Sequence, residues 1–263
     1  MRDIDNATPE ETDTERGVSQ QLDRVKKLLD RFDAQLHMMG NDRNATTAIF
    51  HEDEAFEIAL PWAGFDGLQS RILARRGVPD PVLYTQLFDL VQTLAGRAIL
   101  DIGSYSGLQA MVLRRFLDPV AVHMVEPLAM AQVPLARTIA ANPEGAPVTL
   151  HKLVIDDATS PIARGATRSE RLSDTAFLRR AGGKLTATRI DDMAIGNLGL
   201  INLDMAGQKI YALKGARQVL ETQRPYVLVN LAGRDSDEMA GFMTPLSYKP
   251  VRMGHHATLF LPE

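Results

Sequence analysis

The sequence lacks cysteine, an excess of basic charge and any long apolar run. Without cysteine there is no disulfide framework, no thiolate metal site and no thiol nucleophile. The net charge is −4 over 263 residues. No basic field of the kind that drives phosphate-backbone binding is present, and no nucleic-acid partner is expected. No apolar stretch reaches the roughly 18–20 residues that a membrane span needs. The opening residues, MRDIDNATPEETDTERG, are polar and acidic, unlike a secretory leader. Internal repeats and low-complexity tracts are also missing. What is there is ordinary globular composition, 45% hydrophobic and 24% charged. The expectation is a soluble, cytoplasmic protein with one main core.

Residues 1–16 carry six acids against Arg2 and Arg16 and read as a flexible acidic tail. Residues 17–44 read as a helical extension. Leu22, Val25, Leu28, Leu29, Phe32, Leu36 and Met39 recur at steps of three and four, one helical face that packs on the body or on a second copy. A homodimer through this helix is one expectation. Residues 45–263 read as the main domain. Ala45–Leu60 looks like two short strands around a polar turn, where His51 is a candidate lid residue. Two helical patterns follow, Leu68–Arg75 and Pro81–Leu94, the second with Asp80 as its cap.

From Ala98 onward, short buried strands alternate with helices. The strands are AILDIG, VAVHMVEP, PVTLHKLVI, GLINLDMAG and PYVLVNLAG, with helices at Leu108–Phe116, Leu128–Ala141 and Gln208–Gln223. Such alternation predicts an α/β fold with a mostly parallel sheet. The last segment, SYKPVRMGHHATLFLPE, predicts a closing antiparallel hairpin.

The strongest chemical signal is Asp101-Ile102-Gly103-Ser104-Tyr105-Ser106-Gly107, where the first buried strand turns into a helix. Ligands of open α/β sheets bind at the carboxyl ends of strands, where the strand order reverses. A dinucleotide fingerprint would need glycines at positions 105 and 108, and these are Tyr105 and Leu108. An acid directly before the loop also opposes a pyrophosphate. An acid followed by Gly-x-x-x-Gly suits a ligand with a cationic amino-acid end, such as S-adenosylmethionine (SAM). Gly103, Ser104, Tyr105 and Gly107 are therefore candidate cofactor residues together with Asp101. Tyr105 either closes over the ligand or packs under the helix. Glu126 ends the second strand, nineteen residues after Gly107, where a carboxylate can accept from both ribose hydroxyls. Asp156, with Asp157 beside it, follows the third strand and is placed to meet an adenine amino group.

The chain resembles the FkbM-type SAM-dependent methyltransferases, a class I methyltransferase group. The matching residues run from Phe56 to Leu231: FEIALP, ILDIGSYSGL, VEP, TRIDDM, LINLDMAGQKIYALKGA and RPYVLVNL. The resemblance implies a Rossmann-like sheet of seven strands, SAM as methyl donor, and O-methylation of a small-molecule or glycan hydroxyl. Asp101, Gly103 and Gly107 match the loop at the methionine end, and Glu126 matches the ribose acid. Asp204 matches the acid at the end of strand four, beside the departing methyl, and Asp191 and Asp192 match the paired acids before that strand. The family pattern Lys-Ile-Asp-Val-Glu-Gly-x-Glu is changed here. Asn202 replaces its lysine, Ala206 and Lys209 replace its glutamates, and Asn230 replaces the glutamate ending strand five.

Asp204 is the first candidate for the acceptor's proton. His255, in the Gly-His-His turn, is the second. His123 and His151 read as core histidines. Lys209, Lys214 and Arg217 read as a solvated helix face, and segment 158–183, with its five arginines, as an acceptor loop or lid. With carboxylates lost, no metal site is expected. Two readings of function stand. One is a SAM-dependent O-methyltransferase. The other is a non-catalytic relative that keeps the nucleoside pocket and serves as an interaction or assembly subunit.

Overall fold

The computed structural model describes residues 21–30, 45–157, 187–205, 209–230 and 235–263. The acidic tail, Ala206 and the arginine-rich segment lie outside them. Residues 21–30 form helix α1, on which Leu22, Val25, Leu28 and Leu29 are exposed. No helix among the described residues is long and apolar enough to cross a membrane.

Strands β1 (Thr46–His51) and β2 (Glu54–Ala59) pair as an antiparallel hairpin. Helices α2 (Gly67–Arg75) and α3 (Pro81–Leu90) follow. Each begins at an aspartate that satisfies an orphan amide of the first turn. Asp66 accepts from Gln69 N at 2.8 Å, and Asp80 accepts from Leu83 N at 3.3 Å.

The main sheet has seven strands in the order β10-β11-β9-β8-β3-β4-β5. They are β3 (Ala98–Ile102), β4 (Ala121–Val125), β5 (Val148–His151), β8 (Leu198–Leu203), β9 (Tyr226–Asn230), β10 (Tyr248–Met253) and β11 (Ala257–Pro262). Strands β3, β4, β5, β8 and β9 are mutually parallel. Strand β11 is inserted antiparallel between β9 and β10, so it alone runs against the rest. Helices α4 (Leu108–Leu117) and α5 (Ala129–Ala141) connect β3 to β4 and β4 to β5. Strands β3 and β8 are buried on both faces, which is why they read as apolar runs interrupted only by Asp101 and Asn202. One core lies between the sheet and the hairpin with α2–α4, and a second lies on the opposite face. Because β3 is flanked by β4 on one side and β8 on the other, the order reverses between β3 and β8. That switch point fixes where the site lies.

Three elements differ from the sequence reading. The third strand divides: β5 stays in the main sheet, while β6 (Val154–Ile155) pairs with β7 (Ala187–Thr188) in a separate two-stranded sheet. The helix expected over 208–223 breaks into α6 (Lys209–Lys214) and α7 (Arg217–Thr222). The Asp191 carboxylate holds that break, accepting from Gln218 N at 3.1 Å and Val219 N at 2.9 Å. A further helix, α8 (Asp235–Met243), precedes β10.

Candidate functional site

The glycine loop is bent by two left-handed glycines, Gly103 at φ 85° and Gly107 at φ 82°. Both also sit against the protein itself. A Cβ at Gly103 would fall 2.8 Å from Met205 Cα, and one at Gly107 would fall 2.8 Å from Leu135 Cδ1. The loop is thus pressed onto the end of β8 and onto α5. Ser104 Oγ donates to Asp101 O at 3.0 Å, and Gly107 N donates to Ser104 O at 2.7 Å.

Tyr105 takes a positive φ of 50° without being glycine, a conformation that needs support from its surroundings. Two interactions supply it. Its amide donates to Glu126 Oε2 at 3.1 Å. Its ring stacks on Trp62, centroids 5.9 Å apart at 23°. Trp62 is fixed in turn, its amide donating to Gln69 Oε1 at 2.8 Å. The Tyr105 ring therefore packs against the segment leading into α2.

Glu126 is buried and accepts two main-chain amides, one per oxygen: Tyr105 N at 3.1 Å and Leu128 N at 3.0 Å. It ties the glycine loop to the entrance of α5. Each carboxylate oxygen has further lone-pair capacity, so these bonds do not preclude a ligand hydroxyl.

On the β8 side, Asp101 is buried and its Oδ1 accepts from Asn202 Nδ2 at 2.5 Å. Asp204 is half-buried just past β8, with its amide on Ile102 O at 2.9 Å and its Oδ1 accepting from Asn230 Nδ2 at 3.1 Å. Two aspartate–asparagine pairs thus stand at the carboxyl ends of β3, β8 and β9. Asn202 and Asn230 are two of the positions at which the sequence departs from the FkbM pattern.

Asp156 is half-buried after β6; its Oδ1 accepts from Asp157 N at 2.7 Å. His255 lies in the β10–β11 turn at the same end of the sheet, since Ala257 pairs with Asn230. Its side chain is exposed and its amide donates to Asp80 Oδ2 at 2.9 Å. Asp192 pairs on the surface with Arg189. Among the described residues, no group of three or more His, Asp or Glu is arranged to hold a metal ion.

Other assignments change. His51 is not on a lid. It ends β1, buried among Tyr84, Phe88 and Phe116. Burial lowers its pKa from the ordinary histidine range. His123 and His151 share a hydrogen bond of 3.0 Å across β4 and β5 and are half-buried; burial lowers both pKa values, and His151 lowers that of His123 further. Lys209 is buried rather than solvated, whereas Arg217 forms an exposed pair with Glu221.

Sequence reasoning said nothing of Tyr84. It lies on α3, 4% exposed. Burial, then the carboxylates of Asp204, Asp101 and Asp80, push its phenol far above the ordinary tyrosine range. Its distance in sequence from the glycine loop left no local signal.

No protein-family model matches the chain, and no curated protein does. Solved structures do. Methyltransferase FkbM from Methylobacillus flagellatus KT is 16% identical with a TM-score of 0.50, covering 63% of this chain and 43% of that one. The likeness thus spans less than half the length of the FkbM chain. A precorrin-6y C5,15-methyltransferase from Geobacter metallireducens GS-15 is 9% identical with a TM-score of 0.42, covering 67% and 84%. A candidate methyltransferase from Streptococcus mutans, solved with SAH, is 11% identical with a TM-score of 0.43, covering 68% and 96%. At these identities the FkbM likeness is one of fold: a Rossmann-like methyltransferase sheet with an antiparallel C-terminal strand.

Proposed function

We propose that this chain is a SAM-dependent methyltransferase that methylates a hydroxyl of a sugar or secondary-metabolite acceptor. The observation that carries the reading is the convergence of Asp101, the glycine loop and Glu126 at the carboxyl ends of β3 and β4, beside the switch point. This donor set fits the ligand. Asp101 suits an ammonium, Glu126 suits a ribose diol, and Asp156 suits an adenine amino group. When bound, SAM supplies an electrophilic methyl group on a sulfonium. Asp204 stands where an acceptor hydroxyl would lose its proton, and Asn230 orients its carboxylate. Methyl transfer would need the acceptor oxygen aligned with that methyl group, and Asp204 would be the residue to take the hydroxyl proton. Much of the rate in such a displacement comes from alignment.

The test is calorimetric titration with SAM and S-adenosylhomocysteine (SAH), followed by transfer of a labelled methyl group across a panel of hydroxyl acceptors. Binding of both and labelling of an acceptor are expected; binding of neither overturns the reading. The second reading, a non-catalytic assembly subunit, draws on Asn202, Lys209 and Asn230. Amides and a buried amine stand where the FkbM pattern has charged groups of other kinds. Binding without turnover across the whole panel would favour it. Helix α1, with its exposed leucines and valine, is the segment through which two copies would meet in either case.

A further inference from the structure

His123 and His151 stand outside the candidate site and have no part in the proposed reaction. Strands β4 and β5 are parallel, and His151 pairs with Val125, two residues along β4 from His123. Paired residues share a face of the sheet, and so do residues two apart on one strand, so both imidazoles leave the same face. That brings His123 Nδ1 to 3.0 Å from His151 Nε2, with the rings at 30°. Strand β5 is the last in the sheet, and Thr149, which pairs with His123, is exposed. Both histidines are only half-buried, so solvent reaches the pair. Burial lowers both pKa values, which keeps the rings neutral at neutral pH, the form in which imidazole binds a metal.

We propose that His123 and His151 form a two-histidine site for a divalent transition metal of the copper or nickel type. The site goes beyond the methyltransferase reading and stands whether or not that reading holds. The distance selects the metal. An imidazole–metal bond is about 2.0–2.1 Å long, so two nitrogens 3.0 Å apart subtend about 90–97° at a shared ion. That is the angle between neighbouring positions of a square-planar or octahedral ion. Tetrahedral zinc would need the nitrogens about 3.3–3.4 Å apart. Copper(II) and nickel(II) take tetragonal arrangements with nitrogen and oxygen ligands. Without metal, one ring donates its N–H to the other. On binding, the ion takes the place of that hydrogen, and the donating ring carries its proton on its other nitrogen, so both rings stay neutral. Water fills the remaining positions, in keeping with the lack of a third His, Asp or Glu ligand among the described residues. The main chain links the site to Glu126, whose amide donates to His151 O at 3.0 Å. A bound ion clasps the edge strand to β4 just before that carboxylate.

The experiment is calorimetric titration of the full chain, free of any histidine tag, with Ni2+ and with Cu2+. Beside it run His123→Asn, His151→Asn and, as a control, His256→Asn, whose histidine is exposed in the β10–β11 turn. Wild type and His256→Asn are expected to bind one equivalent. His123→Asn and His151→Asn are each expected to bind at least about tenfold more weakly, because a chelate becomes a single ligand. Excess Ni2+ should raise the melting temperature of wild type and leave that of these two variants unchanged. Wild-type affinity in either of the two, or a loss confined to His256→Asn, overturns the proposal. Should those two variants not fold, the electron paramagnetic resonance spectrum of His256→Asn loaded with Cu2+ decides. Coupling to two imidazole nitrogens upholds the site, and coupling to one or none overturns it.

Discussion

Asn202 Nδ2 stands 2.5 Å from Asp101 Oδ1, across the two strands between which the sheet order reverses. Both residues are buried, so the pair is part of the sheet's structure whatever it binds. Hydrogen bonds to charged groups contribute about 1.5–3 kcal/mol. Asn202→Ala is therefore expected to lower stability by about 2 kcal/mol. For a domain of this size that is a fall of roughly 4–8 °C in Tm, read by thermal melting. Asp101→Ala should lower both Tm and SAM affinity. An unchanged Tm for Asn202→Ala would mean that the amide does not hold Asp101.

The pair shows how legible the site was. The strands β3, β4, β8 and β9 were readable because burial leaves each a mostly apolar run, broken by one polar residue, that needs no knowledge of neighbours. The caps Asp66 and Asp80 are local chemistry; Asp80 was read from its place before Pro81, while Asp66 went unread. The places of Asp101, Gly103 and Glu126 at the strand ends were readable from spacing. Partners across strands were not. Nothing in the order of residues says that Asn202 serves Asp101 while Asn230 serves Asp204. The burial of Tyr84 was invisible for the same reason, since it depends on what packs around α3. His51 was misread because a position beside a turn looks exposed until α3 and α4 bring Tyr84, Phe88 and Phe116 around it.

Glu126 accepts one main-chain amide on each oxygen. Glu126→Gln keeps the shape but turns an NH2 group towards one of them. The expected outcome is a lower Tm together with at least a tenfold loss of SAH affinity, measured by calorimetry. Wild-type affinity in the variant would remove Glu126 from the binding site.

The Trp62–Tyr105 stack should hold the glycine loop in its strained form. Aromatic pairs contribute about 0.5–1.5 kcal/mol beyond the area they bury. Trp62→Leu is expected to speed hydrogen exchange at the Tyr105 and Ser106 amides and to weaken SAH binding several-fold. Exchange as slow as in wild type would show that the Glu126 bond alone suffices.

On the proposed reading Asp204 takes a proton rather than holding the cofactor. Asp204→Asn should cut methyl transfer by roughly a hundredfold or more, the typical range for losing a general base, while SAH affinity stays within about twofold. Equal loss of binding and turnover would instead make Asp204 part of the cofactor site.

Stability should fall on the acid side of neutrality, and the sign follows from three histidines. Burial lowers the folded-state pKa of His51, His123 and His151. In the unfolded chain a histidine titrates near 6.5. Above that pH neither state binds the extra proton, and the native state is favoured in full. As pH falls through about 6.5 the unfolded chain takes up protons first, so stability declines until the lower folded pKa values are reached. Melting temperatures measured from pH 8 to pH 5 should show this slope. His51→Phe separates the contributions. It keeps an aromatic ring against Tyr84, Phe88 and Phe116 and removes a buried Nε2 that has no partner among the described residues. The variant should match or exceed wild-type stability at pH 7 and show a flatter acid slope. A slope identical to wild type would assign the whole linkage to the His123–His151 pair, whose shared bond of 3.0 Å cannot survive protonation of both rings.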